Sequence, residues 1–242
     1  MNIKLNISYD GTNFSGWQIQ PEQRTVQNEL QNAIRNIFKN DYIKLKGSGR
    51  TDSGVHANDQ TANFCINTSM KSSQIKDAIN SIIAKDIYIN SCTFVNADFD
   101  SRFSAKSRQY IYKITNQYSP FKRNYFWYVN YPIDFKKINK CADIVLGNHD
   151  FQLFCKSISK QENNKCIVSE SCWNIEDDMY YYVICSNRFL HHMVRMLVGT
   201  MIEVGKGSIP ISHFKQMIHV NTKKKRIITS PSQGLYLNKV NY

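Results

Sequence analysis

The sequence predicts an α/β chain of the α+β kind, folded as two related sheet-and-helix subdomains whose sheets meet in one cleft. Three observations carry that expectation. The length, 242 residues, suits one large domain or two small ones, at ~100 to 200 residues per domain. Segments that alternate apolar and polar residues are interleaved with segments whose apolar residues recur every 3.6 positions on average. The two halves carry similar element content, although no short-period repeat is visible. The boundary is expected at 104/105, giving an N-terminal subdomain of residues 1–104 and a C-terminal one of residues 105–242.

Residues 3–9, IKLNISY, alternate and read as a half-buried strand running into the turn Asp10-Gly11-Thr12. An aromatic loop with Phe14, Gly16 and Trp17 follows. Thr25 is placed to cap a helix whose Val26, Leu30, Ala33, Ile34 and Ile37 share one face. Residues 42–47 and 59–66 read as strands, with the loop GRTDSGVHA between them. A second helix is expected over 72–84, where Ile75, Ala78, Ile79, Ile82 and Ile83 line up, and a strand over 86–95. Residues 1 to about 100 therefore fit one β-α-β-β-α-β unit.

The second half repeats the alternation between strand and helix. RQYIYKI at 108–114 and the aromatic YFWYVNY at 125–131 read as strands around a turn at Pro120, and a helix follows over 134–146. Residues 166–187 read as a hairpin turning at Asp177 and Asp178. Behind it, 189–204 is expected to be a mostly buried helix in which Arg188, His192, Arg195 and Gly199, spaced by four, three and four, form one distinct stripe. GLYLNKVNY at 234–242 reads as a last alternating strand.

Composition narrows the function classes. Hydrophobic residues are 42% and aromatic residues 12% of the chain, too apolar for a disordered protein. No apolar run approaches the ~18 to 20 residues that cross a bilayer, and the N-terminal stretch lacks a signal peptide's basic flank and apolar core. A cytoplasmic protein is expected. Lys and Arg outnumber Asp and Glu by 31 to 19, a formal charge of +12, which favours a polyanionic partner. A bias toward Lys, Asn and Ile codons would raise the same count without one. The seven cysteines are odd in number and contain no CxxC pair, which argues against a disulfide framework and against a tetrahedral zinc site. Lys223, Lys224, Lys225 and Arg226 form the one dense charge run, readable as a phosphate contact or as a solvated loop.

The densest candidate site is the loop from Gly47 to Ala57. Three glycines within eight residues permit positive φ and close approach of a ligand, and Arg50 and Asp52 place opposite charges two residues apart. A carboxylate kept charged by a neighbouring guanidinium can attack or assist at an electron-poor sugar carbon. A glycine-rich surface turn with a local ion pair would read the same way.

The string RTDSGVHANDQ after a glycine resembles the signature of the tRNA pseudouridine synthase A family. YDGTNFSGWQIQP with TVQNEL, FDSRFSAKSRQYIYKI, GNHDFQLFCK, FLHHMVRMLVGT and GLYLNKVNY are similar to that family's other blocks, in the family's order. The resemblance implies that Asp52 is the catalytic residue, with Arg50 as its companion on the loop. It implies that Tyr110 stacks on the target uracil, that Arg195 of the MVR string pairs with the catalytic Asp, and that Leu235 or Leu237 helps wall the base pocket. Taken alone, Tyr110 is an ordinary strand aromatic and Arg195 a side chain that could reach solvent or a phosphate.

The resemblance further implies a central, mainly antiparallel sheet and a homodimer that acts on tRNA. The activity would be an isomerisation of uridine to pseudouridine in the anticodon stem-loop, with neither metal nor cofactor. Two departures from the family's pattern, Asp100-Ser101 in the second block and SPSQ before Gly234, bear on local packing and RNA contacts. His56, His149, His191 and His192 lack metal-type partners in sequence and are expected to be structural or to contact RNA, with His149, Asp150 and Phe151 as scaffold or helix cap. Two other classes compete. An inactive RNA-binding protein would have lost the chemistry, and a magnesium-dependent hydrolase or phosphotransferase would need carboxylates beside Asp52, where the loop offers Asp59 alone.

Overall fold

The computed structural model of the chain describes residues 1–156, 163–219 and 227–242. Lys223 to Arg226 lie outside the described residues. Among the described residues ten strands and five helices run in an α/β order, and within the two units the strand pairs are antiparallel apart from β3 (His56–Cys65) with β10 (Leu235–Asn241) and β5 (Ser107–Thr115) with β6 (Trp127–Tyr128). The chain divides into two compact units, Met1–Lys106 with Tyr236–Tyr242, and Ser107–Leu235. The division thus falls two residues past the expected boundary and returns the last seven residues to the first unit.

In the first unit, β1 (Asn2–Tyr9) lies between β4 (Ile87–Val95) and β3 (His56–Cys65), antiparallel to both. β10 (Leu235–Asn241) joins β3 in parallel, with Tyr236 opposite His56 and Leu237 opposite Ala57. The expected alternation in β1 is real: Ile3, Leu5, Ile7 and Tyr9 are buried while Lys4, Asn6 and Ser8 are partly open. Burying each such aliphatic side chain is worth ~1.5 to 3 kcal/mol, enough to hold the strand in one register. The first helix, α1 (Val26–Phe38), buries Val26, Leu30, Ala33 and Ile34, the face its period marks, and α2 (Ser72–Ile82) packs on β4.

The strand expected over 42–47 shrinks to β2 (Lys46–Gly47). The physical reason is that α1 takes the backbone bonds that a strand neighbour would have made. Gln31 Oε1 accepts from Leu45 N at 3.0 Å, Gln27 Nε2 donates to Leu45 O at 2.8 Å, and Arg35 Nε donates to Ile43 O at 3.0 Å. Ile43 and Leu45 stay buried all the same. The Asp100-Ser101 departure also has a local explanation. Asp100 accepts from Lys46 Nζ and from the backbone N–H groups of Arg102 and Phe103. Ser101, wholly buried, donates to Asn63 Oδ1 and Lys46 O and accepts at its carbonyl from Tyr242.

In the second unit β5 (Ser107–Thr115), β9 (Met179–Ser186), β8 (Lys165–Glu176) and β7 (Gly147–Asp150) run in that order, all antiparallel. The β8–β9 hairpin turns where the sequence places it, with Asp177 at φ +46° and Asp178 at φ +60°, the left-handed pair of a two-residue hairpin loop. Only Trp127–Tyr128 of the expected aromatic strand pair, as β6, because Tyr125 N and Phe126 N are both bound to Lys122 O in a turn. The helix α3 (Phe135–Val145) starts at an Asp134 side chain that accepts from Lys137 N, and packs on β8. The fifth helix, α5 (Ile211–His219), buries Phe214, Met217 and Ile218 and has no counterpart in the sequence reading.

The cysteines are free thiols. Burial pushes Cys92 and Cys166 up to about 11 and Cys141 up to about 12, so these three stay protonated and unreactive. Among the described residues no helix is long and apolar enough to cross a membrane.

Candidate active site

Asp52 sits half-buried in the loop that leaves β2 and enters β3. Side chains and backbone from the turn after β1 hold that loop in place. Tyr9 and Thr51 share a hydroxyl hydrogen bond of 2.7 Å, Trp17 N donates to Thr51 O at 3.1 Å, and Gly54 N donates to Phe14 O at 3.2 Å. Asp52 itself accepts at its backbone carbonyl from Val55 N at 3.2 Å. The two segments touch so closely that glycine is required: at Gly16, with φ +91°, a Cβ would lie 2.6 Å from Thr51 O. A Cβ at Gly47 would lie 2.5 Å from the buried Trp17 ring.

Arg50 does not make the local ion pair with Asp52 that their spacing invites. Its side chain is exposed, and Nε donates to Gln18 Oε1 at 3.2 Å. His56, expected to be structural or to contact RNA, is buried at the first position of β3. Its Nδ1 lies 3.0 Å from Gly11 N and 3.2 Å from Asp10 Oδ1, and the ring stacks on Tyr236 with centroids 4.6 Å apart.

Tyr110, on β5 opposite Ile184, is half-buried, and its ring meets the Phe189 ring edge-on at 5.0 Å and 85°. Two residues along the same strand face, Tyr112 is wholly buried and its hydroxyl donates to Pro231 O at 2.7 Å. Burial pushes the Tyr112 phenol far above its ordinary range, and Ser230 and then the positive charge of Arg195 draw it part of the way back.

Arg195 lies in the first turn of α4 (Met193–Lys206). Its Nε donates to Ser230 O at 2.9 Å, and Ser230 N donates to Arg195 O at 3.0 Å. One turn on, a Cβ at Gly199 would lie 2.3 Å from Ile228 O, so the glycine admits the segment that steadies the arginine. The four-residue stripe does not form as expected. His192 has φ +66°, a conformation that no helix interior holds, so α4 begins at Met193 and leaves Arg188 and His192 outside it.

Leu235 is buried at the first position of β10, and the wholly enclosed Leu237 follows two residues later. His149 Nε2 lies 2.6 Å from Leu146 O, while Asp150 Oδ1 accepts from Gln152 N and so caps the short 3₁₀ turn at 152–154. The rings of His191 and His192 meet at 4.4 Å. Sequence reasoning passed over Gln60, Tyr9 and Gln18, which hold the Asp52 loop. Each lies in a quoted string: Gln60 closes RTDSGVHANDQ, and Tyr9 and Gln18 belong to YDGTNFSGWQIQP.

A half-buried carboxylate on a glycine-bearing loop that is bonded along both flanks is the feature of this α/β chain that an enzyme site would use. Comparison with known proteins makes the class specific. Residues 6–104 and 142–242 match the tRNA pseudouridine synthase family. The chain is 37% identical to tRNA pseudouridine synthase A of Geobacillus sp. (strain WCH70), over 99% of this chain and 98% of that protein. It is also 37% identical to the protein of the same name from Thermoanaerobacter sp. (strain X514), over 100% of this chain and 99% of that one. The relative from Halalkalibacterium halodurans is again 37% identical, with 99% and 92% covered. This chain belongs to the tRNA pseudouridine synthase family.

Proposed function

We propose that the protein isomerises uridine to pseudouridine in the anticodon stem-loop of tRNAs, with Asp52 as its catalytic residue. The observation that carries the reading is the Asp52 loop, with the family's RTD string intact, in a chain that matches named tRNA pseudouridine synthases from end to end. The reaction breaks the N1–C1′ bond of a uridine, turns the detached uracil and closes a C5–C1′ bond. The proton leaving C5 is balanced by one gained at N1, so no co-reactant is consumed. Asp52 acts on the sugar, by attack at C1′ or by removal of a sugar proton, and both routes use its carboxylate oxygens. Tyr110 supplies a flat face on which a loose base can turn without being lost. Arg195 pairs with Asp52, Arg50 reaches toward the RNA from the loop surface, and Leu235 helps keep water from the base. The protein works in the cytoplasm as a homodimer, without metal or cofactor.

Mapping pseudouridine in bulk tRNA from cells with and without this protein tests the reading. A loss confined to the anticodon arm is expected. An unchanged map would overturn it.

Arg195→Met keeps the aliphatic stem but removes the guanidinium, and with it the proposed partner of Asp52. We expect kcat to fall ~100-fold or more, with Arg195→Lys recovering part of it, since a point charge replaces only some of a planar fork. Because Arg195 also bonds Ser230 O, the thermal midpoint is measured alongside turnover. A Met variant with the wild-type midpoint and wild-type turnover would remove Arg195 from the mechanism.

The charge of +12 makes a separate prediction. Among the residues that could meet phosphates, Lys122 and Arg123 lie with Tyr118, Phe126 and Tyr128 around a shallow cavity of about 150 Å³ in the second unit. Contacts to several phosphates release counterions, so tRNA affinity should drop ~100-fold or more between 50 and 200 mM salt. Filter binding at four salt concentrations reads the slope, and a flat line would show that charge does not hold the RNA.

A further inference from the structure

We propose that Gln60 is the positioning residue of the Asp52 loop, its side-chain amide holding the loop's first half so that the carboxylate is presented in one setting. The inference rests on the reading of Asp52 as catalytic.

The loop has two halves held by different means. Its second half is tied through Thr51, Ser53 and Gly54 to the end of β1 and the turn after it. Its first half depends on β3. Ser48 N donates to Thr61 O at 2.8 Å, and three further bonds converge on one side chain. Gln60 Nε2 donates to Gly49 O at 3.0 Å, while Gln60 Oε1 accepts from Ser48 Oγ at 2.6 Å and from Thr61 N at 3.1 Å. The orientation of the amide follows from chemistry, since Gly49 O only accepts and Thr61 N only donates.

Nothing at Gly49 itself requires glycine. Its φ is not positive, and a Cβ placed on it would meet nothing within 4 Å, so neither conformation nor packing decides where this peptide sits. The bond from Gln60 does. Gln60 is wholly buried, and a buried amide that loses its partners has no water to replace them, which makes the arrangement all-or-none. Asp52 lies three residues along from the held carbonyl. A displacement of ~1 Å at a reacting group costs up to ~100-fold in rate, so this contact lies within range of the chemistry.

The test compares Gln60→Met, Gln60→Glu and Asp52→Asn in single-turnover assays on tRNA, with binding measured in parallel. Gln60→Met preserves volume and removes all three bonds. It should lower kcat ~10- to 100-fold while KM stays within about threefold. Gln60→Glu keeps both acceptor bonds but sets a carboxylate against Gly49 O. A buried carboxyl takes up a proton more readily than an exposed one, and the resulting O–H can donate to Gly49 O again. Its deficit should therefore shrink as pH falls from about 8 to about 6, while that of Gln60→Met stays constant. Arg50, Asp52, His56 and Asp59 on the loop and this strand, Asp10 beside His56 and Lys46 on β2 are common to both variants and cancel in their ratio.

Wild-type kcat in Gln60→Met, with Asp52→Asn inactive, would overturn the role of Gln60 and leave Asp52 standing. An active Asp52→Asn would instead overturn the reading beneath it. Should Gln60→Met not fold, Gln60→Glu decides alone: full activity at pH 8 sinks the proposal, and recovery toward pH 6 supports it.

Discussion

Asp52→Asn is expected to abolish pseudouridine formation, by ~1,000-fold or more in single-turnover rate, while tRNA affinity stays within about threefold of wild type. The amide matches the carboxylate in shape, so the change is chemical. An amide is neither a useful nucleophile at C1′ nor a base for a sugar proton, so both routes close together. The loop should hold its course, because the bonds of the Asp52 carbonyl, the Thr51 hydroxyl and carbonyl, and Gly54 N do not involve the carboxylate. Filter binding and product mapping on the same preparation separate the two effects. Turnover within tenfold of wild type would remove Asp52 from the centre of the mechanism.

The second large effect is expected at Tyr110. Tyr110→Ala should lose ~100-fold or more in turnover and little in binding, because stacking worth ~1 to 3 kcal/mol is spent on a base already out of the helix, while many phosphate contacts hold the rest of the tRNA. The fold should tolerate the change. Tyr110 is half-buried, β5 is held to β9 by backbone pairing through Tyr110 and Ile184, and the change gives up the edge contact with Phe189 without touching that pairing. Tyr110→Phe divides the role in two. If the ring alone matters, the Phe variant turns over like wild type; if the phenol relays a proton, it falls with Ala. An alanine variant of unchanged rate would return Tyr110 to the status of a plain strand aromatic.

What was legible in the sequence was local. The period of Val26, Leu30, Ala33 and Ile34 marked α1, alternation marked β1 and β10, and the Asp177-Asp178 pair marked the turn of the β8–β9 hairpin, because each is decided by a residue's near neighbours. Residues 42–45 misled for a related reason. Their alternating burial is genuine, yet the pattern does not say whether a strand or the side chains of a helix will bind the backbone, and α1 does. The start of α4 was overextended because the apolar residues continue through Phe189 and Leu190, whereas a single left-handed residue, His192, sets the boundary.

By itself, then, the sequence determined the kinds of element, their order, the family and the motif that singles out Asp52. The tertiary structure decided matters that depend on residues far apart in the chain. It set β10 beside β3, pairing Tyr236 with His56 across 180 positions, and returned the last strand to the first unit. It turned Arg50 to Gln18 and away from Asp52, tied Arg195 to Ser230, and made the buried amide of Gln60 the support of Gly49. No local pattern encodes these choices, because a buried hydrogen-bonding group must find its partner wherever the folded chain brings one within about 3 Å, and sequence spacing says nothing of that distance.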